Sequence, residues 1–320
     1  MRKKSDRSIA DIAAALGISA STVSRALRQL PSISGKTTRM VLAEAQRQGY
    51  FIHERKNVVI VRSDAPMGWY DVSILNPLCA RMSRDNITWE IVNSQNFSLI
   101  PERLVHGIIS LDFRDRRSLN LAHNFNLPLV AINEAPCISE KAYAVHSDAV
   151  HGMTMAMNHL KNLGHKKVLF LYQNSETFCS CARLNAFRSI SRTIGSGVWQ
   201  AEALRINKDT AEGLLARVAA AKDGGFTALI VEGESAGVAA CNHLVSAGYR
   251  RPEDFSLLCW ETPGISDLIM PGITTVEQDF TALAERAMDI MEALWKDDEA
   301  PFSVTVPYLF HQRDSTAAVH

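Results

Sequence analysis

From Asn57 onward the chain alternates short apolar, β-branched runs with helix-length stretches, and no other feature of the sequence restricts its fold as much. The runs cover residues 58–61, 89–92, 107–111, 128–132, 167–172, 228–232 and 255–260. Strands that alternate with helices imply parallel sheets joined by crossover helices, because parallel neighbours cannot be linked by tight hairpins. Such sheets bind ligands beyond the carboxyl ends of their strands. The residues that follow each run are therefore where binding groups are expected.

Ahead of that body lies a segment with a different period. Ile9, Ile12, Ala13 and Leu16 recur at helical spacing, and Gly17 breaks the pattern where the chain leaves the helix. Ser19 is placed to cap a second helix, in which Val23, Ala26 and Leu27 repeat on one face. A third helix is expected over about 36–48, with Met40, Val41, Ala45 and Gln48 inward and Gly49 ending it. Three short helices with a Gly-containing turn between the first two describe a helix-turn-helix domain.

Charge divides the chain at the same place. Residues 1–57 carry eleven Lys and Arg against four acids, a net +7, while the remainder carries −7, so the neutral total hides two halves of opposite sign. A short basic module on an acidic body suits contact with a polyanion at one end only. With 47% hydrophobic and 21% charged residues the chain has the composition of a folded, multi-domain soluble protein. No stretch approaches the ~18 apolar residues of a membrane span, and the opening segment does not read as an export signal, so a cytoplasmic protein is expected. Six scattered cysteines and ten histidines without ligand spacing point to no disulfide framework, no metal site and no cofactor.

In a helix-turn-helix the second helix enters the major groove. Ala20, Ser21 and Arg25 project from its early part toward base edges, and an Arg there can pair with guanine through two hydrogen bonds. Thr22, Ser24, Lys36, Thr37 and Arg39 are placed to hold phosphates, with Ser19 and Arg28 completing the candidate DNA-binding set. The run from Ile9 to Leu27, with Gly17-Ile18-Ser19 followed by Thr22-Val23-Ser24-Arg25, resembles the headpiece of the LacI/GalR family of bacterial transcriptional regulators, and residues 34–50 resemble its third helix. Arg28 stands where that family usually has Asn. The family continues into a hinge helix whose Leu wedges the minor groove. Only seven residues, 51–57, separate Tyr50 from the first strand here, too few for a connector and that helix.

Segments farther along fall in the family's order: Leu75 to Leu78, His159 to Val168, Cys181 to Phe187, Gly248 to Asp254 and Ile273 to Phe280. The resemblance implies an all-α headpiece (residues 1–50), a linker (51–57) and a periplasmic-binding-protein-like body (58–320) of two doubly wound parallel sheets. Lobe one would take about 58–164 plus 277–303, and lobe two 165–276 plus 304–320. It implies a repressor that binds a near-palindromic operator as a homodimer and is modulated by a small, sugar-like effector between the lobes. Carried over by position, Asn76, Asp148, Arg183, Gln278 and Phe280 are the candidate effector contacts, with Trp260 and Glu261 offering a stacking face and a carboxylate. Gly233-Glu234 and Cys259-Trp260-Glu261-Thr262 replace the family's usual Asn-Asp and Gly-aromatic-Asp-Asp.

Two other readings compete. Gly233-Glu234-Ser235-Ala236-Gly237 fits the nucleophile elbow of an esterase, with Asp267 and His311 following in hydrolase order. No oxyanion loop precedes it, and the reading taken is of a non-enzyme. A protein corepressor in place of a small effector is the second.

Overall fold

The computed structural model describes residues 8–27, 32–48, 50, 56–93, 105–111, 119–120, 122, 127–134, 142–172, 177–194, 199–205, 218–232, 239, 242–261, 264 and 266–319. The side chains of Gln46, Ile194, Glu261 and Asp267 lie outside that description, as do Arg28, residues 51–55 and the whole of Gly233–Gly237.

The head consists of α1 (Ile9–Leu16), α2 (Ala20–Leu27) and α3 (Gly35–Arg47). Ser8 and Asp11 form a reciprocal capping box on α1: the Asp11 amide donates to Ser8 Oγ at 3.3 Å and the Ser8 amide to Asp11 Oδ2 at 2.7 Å. Gly17 ends the helix at φ 66°, a left-handed conformation that a side chain would resist. Ile12, Ala13, Val23, Ala26, Leu27, Val41 and Ala45 form one small core. Met40 differs from expectation, at 45% exposed. Val41 and Ala45, one turn apart, define the inward line of α3, and Met40 points off it.

Two six-stranded sheets follow. The first takes β1 (Asn57–Val61), β2 (Thr88–Val92), β3 (Gly107–Ser110), β4 (Leu129–Ile132), β5 (Ala142–Ser147) and, from near the end of the chain, β11 (Ser303–Val306), in the order β11-β5-β4-β3-β1-β2. The second takes β6 (Lys167–Tyr172), β7 (Gln200–Arg205), β8 (Ala228–Val231), β9 (Ser256–Glu261), β10 (Thr274–Gln278) and β12 (Tyr308–His311), in the order β12-β10-β9-β8-β6-β7. Every pairing is parallel except β10 with β12. β3, β4 and β8 are buried along their whole length, as strands covered on both faces must be.

The two sheets repeat one topology. In each, the first strand lies between the second and the third, so the order reverses beside it: between β1 and β3 in one sheet, between β6 and β8 in the other. Those switch points are where open parallel sheets leave a crevice.

Helices α4 (Trp69–Arg84) and α7 (Phe280–Trp295) pack on the first sheet through Ile74, Leu78, Met82, Leu283, Ala287 and Met291. Helices α5 (Ala149–Asn162) and α6 (Phe178–Ile194) pack on the second through Met153, Met157, Leu160, Leu184 and Phe187. Arg81 on α4 reaches Glu285, Asp289 and Glu292 on α7, as well as Asp85, and so ties the two helices of the first lobe together.

The chain changes sheets after Ser147, after Gln278 and after Val306. These points move the expected lobe limits. Residues 149–162 belong with the second sheet rather than the first, because the apolar face of α5 packs against Val168, Phe170 and Ile230. The first lobe reaches Val306 rather than 303, because β11 pairs with β5. Each of the first two crossovers runs straight into an N-capping aspartate. Asp148 accepts from the His151 amide at 3.0 Å, and Asp279 from the Ala282 amide at 2.8 Å. The Asp148 amide donates to Val306 O at 2.8 Å, which binds the first crossover to the third.

Candidate functional site: the head and the cleft

In the head, packing of Val23, Ala26 and Leu27 dictates what faces outward. Ala20, Ser21 and Arg25 are exposed, with Ser21 and Arg25 one helical turn apart; Thr22 and Ser24 are half-buried. Ser19 caps the helix, its Oγ accepting from the Thr22 amide at 3.0 Å and lying 2.9 Å from Ser21 Oγ and 2.8 Å from Thr22 Oγ1. On α3, Ser34 repeats the device: its Oγ accepts from the Thr37 amide at 3.2 Å. Lys36 and Arg39 are exposed beside it and Thr37 is half-buried. A capped helix start joined to outward hydroxyls and cations is a surface suited to phosphate oxygens, and the outer face of α2 to base edges. Arg28 lies outside the described residues.

Two groups of side chains meet at the carboxyl ends of the sheets. One surrounds the crossovers. Asn133, which follows β4 in a left-handed conformation (φ 56°), donates from Nδ2 to Gln278 Oε1 at 2.7 Å and to the Tyr70 hydroxyl at 2.9 Å. Its Oδ1 accepts from the Ser147 amide at 3.1 Å, and Ser147 Oγ donates to Gln278 Oε1 at 2.9 Å. Phe280 packs edge-on against Tyr70, ring centroids 5.7 Å apart. Burial drives the Tyr70 hydroxyl far above its ordinary ionisation range.

The other group belongs to the second sheet. Arg183, on the first turns of α6, donates from Nη1 to Glu232 Oε1 at 3.2 Å and from Nε and Nη2 to the Tyr308 hydroxyl at 3.3 Å each. Its guanidinium lies 5.8 Å from the Trp260 ring centre, and Trp260 meets Tyr308 edge-on at 5.7 Å. All four residues are at least nine-tenths buried. Burial acts to lower the Arg183 pKa, and the charge interactions with Tyr308 and Glu232 outweigh it, so the guanidinium ends above its ordinary range. Trp260, 2% exposed, is a wall of this cluster rather than an open stacking face.

Contacts of the described residues also run across the lobes. Cys179 Sγ lies 3.8 Å from Asn133 O, and the rings of His146 and Phe178 meet edge-on at 5.2 Å. Burial pushes the Cys179 thiol up to about 11, the negative charges of Glu134 and Glu232 adding to it against Arg183.

Of the residues singled out in the sequence, Arg183, Trp260, Gln278 and Phe280 fall in these two groups. Asp148 stands at the crossover, one carboxylate oxygen committed to the α5 cap. Asn76 is exposed on α4, and the Glu261 side chain is not described. Glu232, Tyr308, Asn133, Tyr70, Ser147 and Cys179 were not singled out. Asn133 directly follows the run 128–132, where parallel sheets place binding groups, whereas Glu232 is the last residue of the run 228–232.

Of the esterase elements, Ser235 and the Asp267 side chain lie outside the description, and His311 is on β12 with Nε2 3.5 Å from Glu277 Oε2. Among the described residues no group of His, Cys, Asp and Glu could hold a metal ion, and no helix is long and apolar enough to cross a membrane.

Residues 8–51 match the family described as bacterial regulatory proteins, lacI family, and residues 157–316, half of the chain, match the periplasmic binding protein-like domain. The chain belongs to the LacI family of bacterial regulators. Relatives align with this LacI-family regulator along most of its length. The HTH-type transcriptional repressor PurR of Mannheimia succiniciproducens is 23% identical, over 88% of this chain and 90% of the relative. The HTH-type transcriptional regulator DegA of Bacillus subtilis is also 23% identical, over 87% and 88%. Among solved structures, the Lac repressor dimer bound to operator and the anti-inducer ONPF superposes with a TM-score of 0.68 at 19% identity, covering 98% of this chain and 99% of the other. The regulator CelR in complex with cellobiose superposes at 0.68 and 17%, over 97% and 99%. These structural likenesses establish the shared two-lobed fold.

Proposed function

We propose that this LacI-family regulator is a cytoplasmic, non-enzymatic repressor that binds a near-palindromic operator as a homodimer and is modulated by a small, sugar-like effector held between its lobes. Residues 1–50 read DNA, 51–57 connect, and 58–320 bind effector and dimerise. The observation that carries the reading is the outer face of α2: Ala20, Ser21 and Arg25 stand exposed on a helix whose other face is locked into a core of its own. Arg25 and Ser21, with Ala20, contact base edges; Ser19, Thr22, Ser24, Arg28, Lys36, Thr37 and Arg39 hold the phosphates. Support for the dimer and the operator comes from the Lac repressor complex.

The effector site draws on Arg183, Gln278, Phe280 and Trp260 with Asn76, Asp148 and Glu261 around them. Support comes from the position of Arg183 on the helix after β6, beside the switch point, from the gathering of the other groups at the carboxyl ends of the strands, and from the sugar complexes of structural relatives, cellobiose in CelR and ribose in an Enterococcus faecium regulator. Contacts between α6 and the ends of β4 and β5 change as the lobes close or open, and the crossover cluster is the pivot. An effector shifts operator affinity by the difference in its own affinity for the two lobe arrangements. Fluorescence anisotropy of a labelled operator, titrated with the full chain with and without candidate sugars, tests this. A sugar-dependent change in operator affinity supports the reading, and binding that ignores DNA sequence defeats it.

A further inference from the structure

The second-sheet cluster is not electrostatically complete. Glu232 is 2% exposed; among the described residues its Oε1 is bonded to Arg183, and Oε2 is buried with no partner. A carboxylate oxygen without a donor in a water-poor interior is costly, and native structures almost always satisfy such groups. Glu232 directly follows β8, beside the point where the strand order of the second sheet reverses, so the unsatisfied oxygen belongs to the crevice in which the effector reading places the ligand.

Its cationic neighbour is already engaged. Arg183 directs Nε and Nη2 to Tyr308 and Nη1 to Glu232, so its charge is matched within the protein before any ligand arrives. A phosphate or carboxylate brought to Arg183 would stand next to the Glu232 carboxylate, and like charges at that distance repel strongly in a buried site.

We propose that Glu232 is the selectivity residue of the cleft: its second oxygen receives an N–H donor from the effector, so the site selects amine-bearing polar compounds, amino sugars above all, and rejects phosphorylated or carboxylated ones. The inference rests on the effector reading of the cleft and specifies its ligand class. Arg183 then acts as the counter-charge that holds Oε1 and turns Oε2 toward the ligand, not as an anion receptor.

The test is calorimetric titration of the full-length protein with compounds matched on one skeleton: glucosamine, glucose, glucose 6-phosphate and glucuronate, with the galacto and manno counterparts. Binding is expected for amine members over their neutral counterparts, by about ten- to a hundredfold, the range of one charge-assisted hydrogen bond. Glu232→Gln should erase that preference. If that variant does not fold, the paired replacement Arg183→Met with Glu232→Leu should erase it as well. Tighter binding of the phosphate or carboxylate members, or an amine preference that survives Glu232→Gln, would overturn the inference while leaving the effector reading in place. Failure of every member, of any charge, to bind while operator binding is intact would bring down the effector reading and the inference with it.

Discussion

Replacing Arg183 with Met removes the cation from a cluster that cannot rehydrate. Glu232, 2% exposed, would lose the counter-charge that Oε1 accepts from, and the Tyr308 hydroxyl would lose both donors that reach it at 3.3 Å. Breaking a buried pair on one side costs about 3–5 kcal/mol, against about 0–1 kcal/mol for an exposed pair. Removing the charge from both sides is different. With Glu232→Leu added, no ion remains buried, and the loss should shrink to about 1–2 kcal/mol, the cost of imperfect packing beside Trp260 and Tyr308. The two substitutions are therefore strongly non-additive, with a coupling of several kcal/mol. Urea unfolding of the wild type, both single variants and the double variant, followed by fluorescence, measures the cycle. Single variants that each lose less than about 1 kcal/mol, and whose losses add, would show that the cluster is open to solvent and that the argument from burial is wrong.

Three further outcomes follow from other parts of the molecule. Arg25→Ala should cost about 1–3 kcal/mol on a selected operator and relax preference at one position of each half-site, whereas Lys36→Ala should weaken all duplexes alike and lower the salt slope by about 1, both read by anisotropy at several salt concentrations. Ser19→Ala leaves the Thr22 amide without its acceptor and should destabilise the headpiece by about 1 kcal/mol in thermal unfolding. The third concerns pH. Burial, helped by the Lys56 charge, pushes His106 down to about 4, and burial also lowers His159 and His165. Their folded values lie below the unfolded value of about 6.5, so the unfolded chain binds the extra protons; stability is complete above about pH 7 and is lost as pH falls through 6.5 toward the folded values. Each group contributes less than about 1.4 kcal/mol per pH unit, because His106 and His159 keep some contact with solvent. His106 Nδ1 accepts from the Asn57 amide at 3.0 Å and cannot do so once protonated. Flat stability between pH 7 and 5 would contradict this.

How much of this was legible beforehand depends on whether the cause was local. The head was read almost to the residue, since Gly17, Ser19 and the 3–4 spacing of Val23, Ala26 and Leu27 act within one turn of the chain. Buried central strands such as β1, β4 and β8 announced themselves as continuous apolar runs. β7, with Gln200, Glu202 and Arg205, is an edge strand whose polar residues mask the pattern, and β11 is four residues whose only cue is its partner β5. The placement of α5 was misjudged for the same reason: an amphipathic helix shows that it has an apolar face, not which sheet will cover it. In the second-sheet cluster, Arg183 is named by the sequence reading and Glu232 is not. A lone Glu after a strand has no local signature, and its ion pair forms because α6 carries Arg183 to it from 49 positions away.

The central claim is that this chain is a sequence-specific dimeric regulator, and selection from a randomised duplex pool by the full-length protein at near-physiological salt tests it most directly. The account predicts enrichment of an inverted repeat, with a base preference at the Arg25 contact that disappears in Arg25→Ala. Recovery of no sequence, or of an unrepeated one that Arg25→Ala reads equally well, would contradict it.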